Sequence, residues 1–344
     1  MSHSARRLRS DEVDERRHQG NESERDMSTT APQPGSHPGD GTGAGNPVPV
    51  DAGATPVFLE HRELLFSIVY AMLSSVADTE DVLQEVWLAW AKRYRAPQAE
   101  EIAHPRAYLV RVAVHRALAR QEAIRRRRED YVGPWLPEPL VTAADPDPAV
   151  RAEAVSLAVL VVLETLTPLE RVVFVLNEVF GYPHTEIARI LDRTPAAVRQ
   201  LAHRAREHVQ ARRPRYVADP QLREQVTEQF LAAVFGGDMD ALLRLLAPDV
   251  TAWVDGGGKA PAAGPRPLHG RALVARLLTR RAARRPGGMD IRRRHINGDP
   301  AVLLFDQGSP VAVMVLDLNP EGDRICGIYA VTNPDKLSKL DLEA

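Results

Sequence analysis

From Phe58 to Val209 the apolar residues recur at helical spacing, and beyond Pro220 they give way to short strand-like runs parted by glycine turns. A stripe repeating every three or four residues buries one side of a helix. Alternation buries one face of a strand, so one architecture cannot serve both parts. The change of period predicts an all-helical first part followed by an α+β second part. In the helical part, Phe58, Leu64, Leu65, Ile68, Val69, Met72 and Leu73 mark a first helix, with order expected from near Pro56. Asp78 and Thr79 are the expected N-caps of a second helix running through Val82, Val86 and Trp90. A third, near Pro105 to Arg128, carries the stripe Leu109, Val112, Ala113, Leu118 and Ile124, with its arginines largely off that stripe. Pro168 fits the first turn of a further helix holding Val172, Val173, Leu176 and Val179, capped by Thr167.

Between the helical groups, Tyr131 to Pro139 holds three prolines, which predicts an extended, semi-rigid linker. Past Pro220, a helix over Leu222 to Phe235 and a second short helix precede strands at Val250–Val254, Ile291–Ile296, Ala301–Phe305, Val311–Leu318 and Arg324–Val331. A helix at Arg271–Arg284 falls between the first two strands. Turn residues at Asn297–Pro300, Gln307-Gly308 and Asn319–Gly322 separate the last four, as in an antiparallel meander. A chain of 344 residues suits two or three domains. The layout expected is a disordered tail over 1–54, helical domains over 55–130 and 149–216 joined by a linker over 131–148, an α+β domain over 217–337 and a tail over 338–344. The tail prediction rests on a polar Ser/Gly/Pro composition that cannot bury enough surface to offset its ordering entropy. A composition shift at Met27 makes that residue an alternative translation start to Met1.

Net charge is only −2, yet arginines crowd 106–128 and 199–215, giving local positive fields that attract phosphates. Cys326 is the single cysteine, which excludes an intrachain disulfide and suits a reducing cytoplasm. The longest apolar run, Leu157 to Leu163, is far short of the ~20 residues that span a bilayer. The start of the chain is charged and lacks a secretory core. A soluble cytoplasmic protein without membrane association is expected.

Two segments carry chemistry. Glu186 to Leu191, the turn Asp192-Arg193, and a second helix opened by Thr194-Pro195 form a helix-turn-helix. Its second helix buries Val198, Leu201, Ala205 and Val209 and presents Arg199, Gln200, His203 and Arg204 outward. Arginine pairs with guanine and glutamine with adenine, so Arg199 and Gln200 are expected to read bases and Arg206 to hold the backbone. Upstream, Asp81, Gln84 and Glu85 share one face of the 78–90 helix, while Trp87 and Trp90 belong to its core.

The string Glu80-Asp81-Val82-Leu83-Gln84-Glu85-Val86-Trp87, the arginine helix after it and His203-Arg204-Ala205-Arg206 together resemble regions 2 and 4 of bacterial sigma factors, in the small extracytoplasmic-function (ECF) class. Trp135-Leu136-Pro137-Glu138-Pro139, Asp255-Gly256-Gly257-Gly258-Lys259 and Asn333-Pro334-Asp335-Lys336-Leu337 resemble signatures of the SigJ-like group, which carries a SnoaL-like C-terminal extension. The resemblance runs from Pro56 to Leu337. It implies a multi-domain fold, with two all-α sigma domains (a region 2 helical bundle and a region 4 helix-turn-helix) and an α+β SnoaL-like cone. It implies as partners the β′ clamp and β flap of core RNA polymerase, and promoter DNA. Asp81, Gln84 and Glu85 would meet the polymerase. Tyr108, Arg111, His115, Arg116 and Arg120, with the helix-turn-helix residues Arg199, Gln200, His203, Arg204 and Arg206, would meet DNA. Relatives commonly carry Asn where this chain has His115, so the base preference at the downstream element is not carried over. Trp135, Leu136, Pro137, Glu138, Asp255, Gly256, Gly257, Gly258 and Lys259 would form a regulatory contact between linker and extension.

Two alternatives stand beside this reading. One is a ligand-sensing helix-turn-helix regulator, against which the 78–90 string counts. The other is a SnoaL-like cyclase or isomerase fused to a DNA-binding module. Isomerase chemistry needs a carboxylate base in an apolar pocket. Asp255, Asp306, Asp317, His269 and His295 form no such constellation in the sequence, so no catalytic residue, metal site or cofactor is expected. For the cone, a pocket for an unidentified small-molecule ligand is favoured over an active site, with an empty structural cone as the alternative.

Overall fold

The computed structural model describes residues 53–95, 102–143, 155–212, 219–260, 264–284 and 289–340. Residues 1–52 of the expected tail, Met27 included, lie outside the described residues, as do 144–148 of the linker, 149–154 at the start of the second helical domain, and 341–344. Helix α1 (Ala54–Leu73) ends at Ser74, whose left-handed backbone lets its N–H reach the Tyr70 carbonyl at 2.7 Å. Ser75 turns back to extended backbone and caps α2 (Val76–Tyr94) by accepting the Asp78 N–H at 3.3 Å. The cap therefore lies ahead of Asp78 and Thr79, where the sequence reading placed it. An N-cap needs extended φ/ψ, and only Ser75 has it; Thr79 sits inside the helix and donates to the Ser75 carbonyl at 2.7 Å.

Helix α3 (Pro105–Glu129) packs across α1 and α2. Leu65, Ile68, Met72, Val86, Trp90, Leu109 and Ala113 form a core that continues without a break into Val172, Leu176, Ile187 and Val198 of the next helical group. That group follows strand β1 (Val141–Thr142) and consists of α4 (Leu157–Leu163), α5 (Pro168–Phe174) running into a π-helical turn at Val175–Val179, α6 (His184–Ile190) and α7 (Pro195–Arg212). Thr167 and Glu170 close a reciprocal capping box at the start of α5, with Pro168 behind the cap. Among the described residues no helix is long and apolar enough to cross a membrane.

The last part contains α8 (Pro220–Gly236), α9 (Met239–Leu245), β2 (Leu246–Asp255), β3 (Leu268–His269) and α10 (Arg271–Ala283). The meander β4 (Asp290–Ile296), β5 (Asp299–Asp306), β6 (Ser309–Leu318) and β7 (Ile325–Val331) follows, then α11 (Pro334–Leu337). The 7-stranded sheet runs β1-β4-β5-β6-β7-β2-β3, antiparallel except where β2 meets β7. Asn297-Gly298 (φ 54° and 78°) and Gln307-Gly308 (φ 49° and 82°) supply the paired left-handed residues that a tight hairpin turn requires.

Alternation sorts the sheet's residues to two covered faces. Met314, Leu316 and Ile328 meet Phe230, Leu242 and Val274 of the helices α8, α9 and α10, filling the interior of an α+β cone. Leu303, Phe305, Val313, Val315 and Val331 point the other way and are covered by Leu136 of the linker and by Leu157 and Ala158 of α4. Burial on both sides explains why these strands are apolar at consecutive positions. At about 25 cal/mol per Å² of apolar surface, the outer contact stabilises the union of cone and helices substantially.

Candidate functional site

On α2, Asp81 and Gln84 are exposed and Glu85 is half-buried, and the exposed Leu88 continues the same face one turn on. Asp81 is ion-paired with Arg120, and Glu85 lies 3.4 Å from Arg116, so α3 covers part of this acidic face. Among the described residues the Gln84 side chain has no bonded partner. Exposed pairs of this kind are worth roughly 0–1 kcal/mol each and exchange readily for an external partner.

Every α3 residue singled out in the sequence is engaged within the chain. Tyr108 packs on Trp90 with ring centres 5.8 Å apart. Arg111 donates to both carboxylate oxygens of Asp192, at 2.8 and 3.0 Å, and His115 Nε2 donates to the Ile190 carbonyl at 2.7 Å. Both contacts fall on the helix-turn-helix, so α3 is docked against the turn between α6 and α7. Deeper in the same seam, Arg128 and Arg171 flank Glu164, the second at 2.9 Å. Arg171 also donates to the Ala71 carbonyl at 2.9 Å and to Ser74 Oγ at 2.6 Å, satisfying the end of α1. Burial lowers both guanidinium pKa values to about 9, which leaves them charged at neutral pH.

Along α7, Arg199, Gln200 and His203 are exposed, and among the described residues Arg199 and Gln200 have no side-chain partner. His203 lies 3.5 Å from Glu207. Arg204 pairs with Glu170 at 2.9 Å, and Arg206 with Glu178 at 2.6 Å and Asn177 at 3.1 Å. Val198, Ala202 and Ala205 are buried beneath them, which fixes the outward face.

The linker and the cone meet at Asp255, fully buried at the end of β2. Its carboxylate accepts from the Tyr131 hydroxyl, the Leu136 N–H at 2.9 Å and Lys336 Nζ at 2.7 Å. Lys336 also donates to the Leu136 carbonyl, and its ammonium lies 3.7 Å from the centre of the Trp135 ring. Burial pulls the Lys336 pKa down against the pull of Asp255, and burial with the Asp255 contact pushes the Tyr131 hydroxyl up. Gly257 and Gly258 have left-handed backbones; a Cβ on the first would stand 2.4 Å from the Asn333 amide, and one on the second 3.1 Å from Val132. Gly256 accepts the Lys259 N–H at 2.9 Å, and Lys259 pairs with Asp335 at the surface.

Pro137, Glu138 and Pro139 are buried, and Glu138 reaches the other way. Its carboxylate accepts the Val76 N–H at 2.6 Å and the Ser75 hydroxyl at 3.3 Å, which closes the N-terminus of α2. Tyr70 of α1 donates to the Glu138 carbonyl at 2.6 Å and accepts from Asn297 at 2.9 Å, tying α1, linker and sheet together. The interdomain contacts of Tyr70, Tyr131 and Asn297 escaped the sequence reading, which placed Tyr131 only in the linker and Asn297 only in a turn. A hydroxyl on an otherwise apolar helix was the one available signal for Tyr70, because a buried phenol needs a partner. Of the carboxylates and histidines considered for catalysis, Asp255 serves the linker, His295 lies 3.0 Å from Glu224, and His269 lies 3.0 Å from Thr251. Among the described residues no three metal-ligating side chains converge.

A helical pair bearing an acidic face, an arginine helix and a helix-turn-helix on one core define a transcription initiation factor. The sigma-70 region 2 family matches residues 57–129 and the sigma-70 region 4 family residues 156–209. The chain belongs to the extracytoplasmic-function sigma factors, which recognise promoters and start transcription and are not enzymes. Within them it falls in the SigJ-like group with a SnoaL-like extension. It is 36% identical to the ECF RNA polymerase sigma factor SigJ of Mycobacterium tuberculosis over 80% of this chain and 91% of that one. It is 31% identical to the "Probable ECF RNA polymerase sigma factor SigI" of the same species, covering 82% and 94%. The crystal structure of M. tuberculosis SigJ superposes with a TM-score of 0.66 at 34% identity, over 84% of this chain and 99% of that one.

Proposed function

We propose that the chain works in the cytoplasm as a sigma factor regulated in cis by its own C-terminal cone, with working domains at 55–130, 149–216 and 217–337. Asp81, Gln84 and Glu85 engage the β′ clamp of core RNA polymerase, and the second helical domain engages the β flap. Tyr108, Arg111, His115, Arg116 and Arg120 meet the opened promoter, with Arg199 and Gln200 reading the upstream element and His203, Arg204 and Arg206 holding its backbone. The observation that carries the control is Glu138, which caps the polymerase-binding helix α2 while Leu136, two residues earlier, is held by Asp255 of the cone. A shift of the cone therefore reaches α2 through a rigid, proline-braced segment.

In transcription with bacterial core polymerase, Glu138→Ala should change promoter-dependent yield several-fold while the start site stays the same. Equal yields from variant and parent would remove the linker from the control. Arg199→Ala should relax sequence preference at the upstream element, losing ~1–3 kcal/mol of discrimination. An unaltered preference in a binding-site selection would reduce Arg199 to a phosphate contact.

A further inference from the structure

Between α1, the first turn of α3 and the segment entering α6 lies an open cavity of 820 Å³, a volume suited to a small organic ligand. Its charge is one-sided. His61, His104, Arg106, Arg111 and Arg189 line it, against the single carboxylate of Glu186. Arg111 is taken by Asp192, but among the described residues Arg106 and Arg189 form no ion pair. The first turn of α3 also lines the cavity, and its N-terminus has neither a side-chain cap nor an acidic residue. A 25-residue helix presents uncapped N–H groups and a positive dipole end there. Flat rings line the same cavity, Tyr108, Phe180 and Tyr182, with the Arg106 guanidinium over the Tyr182 ring at 5.8 Å from its centre.

Phosphate alone would leave the rings unused, and an uncharged aromatic would leave the arginines unused. A ligand joining a phosphate to a flat base uses both. We propose that this cavity binds a free nucleotide, its phosphates at Arg106, Arg189 and the α3 N-terminus and its base against the rings. The walls come from both helical domains, so the site exists only while α3 is docked on the helix-turn-helix. A ligand that binds the docked form alone stabilises it. On the reading that promoter opening requires α3 to leave that dock, the nucleotide lowers transcription.

The test is calorimetric titration of the full-length protein with ADP and GDP, and with adenosine and inorganic phosphate as partial probes. The expected result is saturable one-to-one binding of a nucleotide, with each partial probe at least tenfold weaker. Arg106→Ala and Arg189→Ala, both at exposed positions, should each weaken binding at least tenfold with unchanged circular dichroism. Absence of saturable nucleotide binding, or full affinity in both variants, overturns the proposal. A nucleotide within single-stranded DNA has the same chemistry, so an unstructured oligodeoxynucleotide serves as competitor. Displacement of the nucleotide by equimolar oligonucleotide assigns the cavity to DNA and also overturns it. Binding without any fall in promoter-dependent transcription supports the site and instead removes the assumption that α3 must undock.

Discussion

Lys336→Met should destabilise the full chain by about 3–5 kcal/mol, the usual cost of leaving one member of a buried ion pair alone. Met keeps the length of the side chain and its contact with Trp135, so the loss isolates the ammonium. Asp255 is 0% exposed and Lys336 4%, so water cannot replace the missing partner. Urea denaturation reads the loss, and hydrogen exchange at 131–140 reads where the structure loosens. Adding Asp255→Asn to Lys336→Met should recover much of the loss, because the uncompensated charge is then gone. A drop below about 1 kcal/mol in the single variant would mean that the hydrogen bonds of Tyr131 and Leu136 suffice to hold the linker.

Glu164→Gln is the second large effect, again about 3–5 kcal/mol. Its carboxylate is the counter-charge for two guanidiniums whose side chains are only 21% (Arg128) and 5% (Arg171) exposed. Without it the two cations face each other across the seam and drive α3 and α5 apart. Denaturation should lose two-state character, with the helix-turn-helix separating before the first helical domain melts. A single transition at the parent's midpoint would show that the shared apolar core alone holds the seam.

Most of the helices were legible because an apolar stripe on a helix says which side is buried. It does not say which stripe meets which. Leu109 and Ile187 show ordinary amphipathic patterns, and their membership of one core follows only from the fold. The meander was legible through its Asn-Gly and Gln-Gly turns. Strands β1 and β3 were not, since two residues carry no period and exist only by pairing with Ile296 and His295 and with Thr251 and Ala252. The three signature strings could be read as strings. That Asp255 finds Lys336 and Glu138 finds Val76 depends on contacts 81 and 62 residues apart, beyond any local signal. The Ser75 cap was missed for a local reason, the left-handed Ser74 that ends one helix immediately before the next.

The pairing of β1 with β4 bears on solubility as well as control. An outermost strand with unsatisfied amides is a template on which another copy can assemble, and here the linker occupies that position at Ile296 and His295. Any movement that withdraws the linker bares this rim. Arg292, Arg293 and Arg294 stand exposed along the same strand; Arg292 pairs with Asp290 and Arg293 with Glu228, and the positive charge of Arg294 repels an identical rim in a second molecule. The strand that pairs with the linker thus carries its own charge guard against self-association.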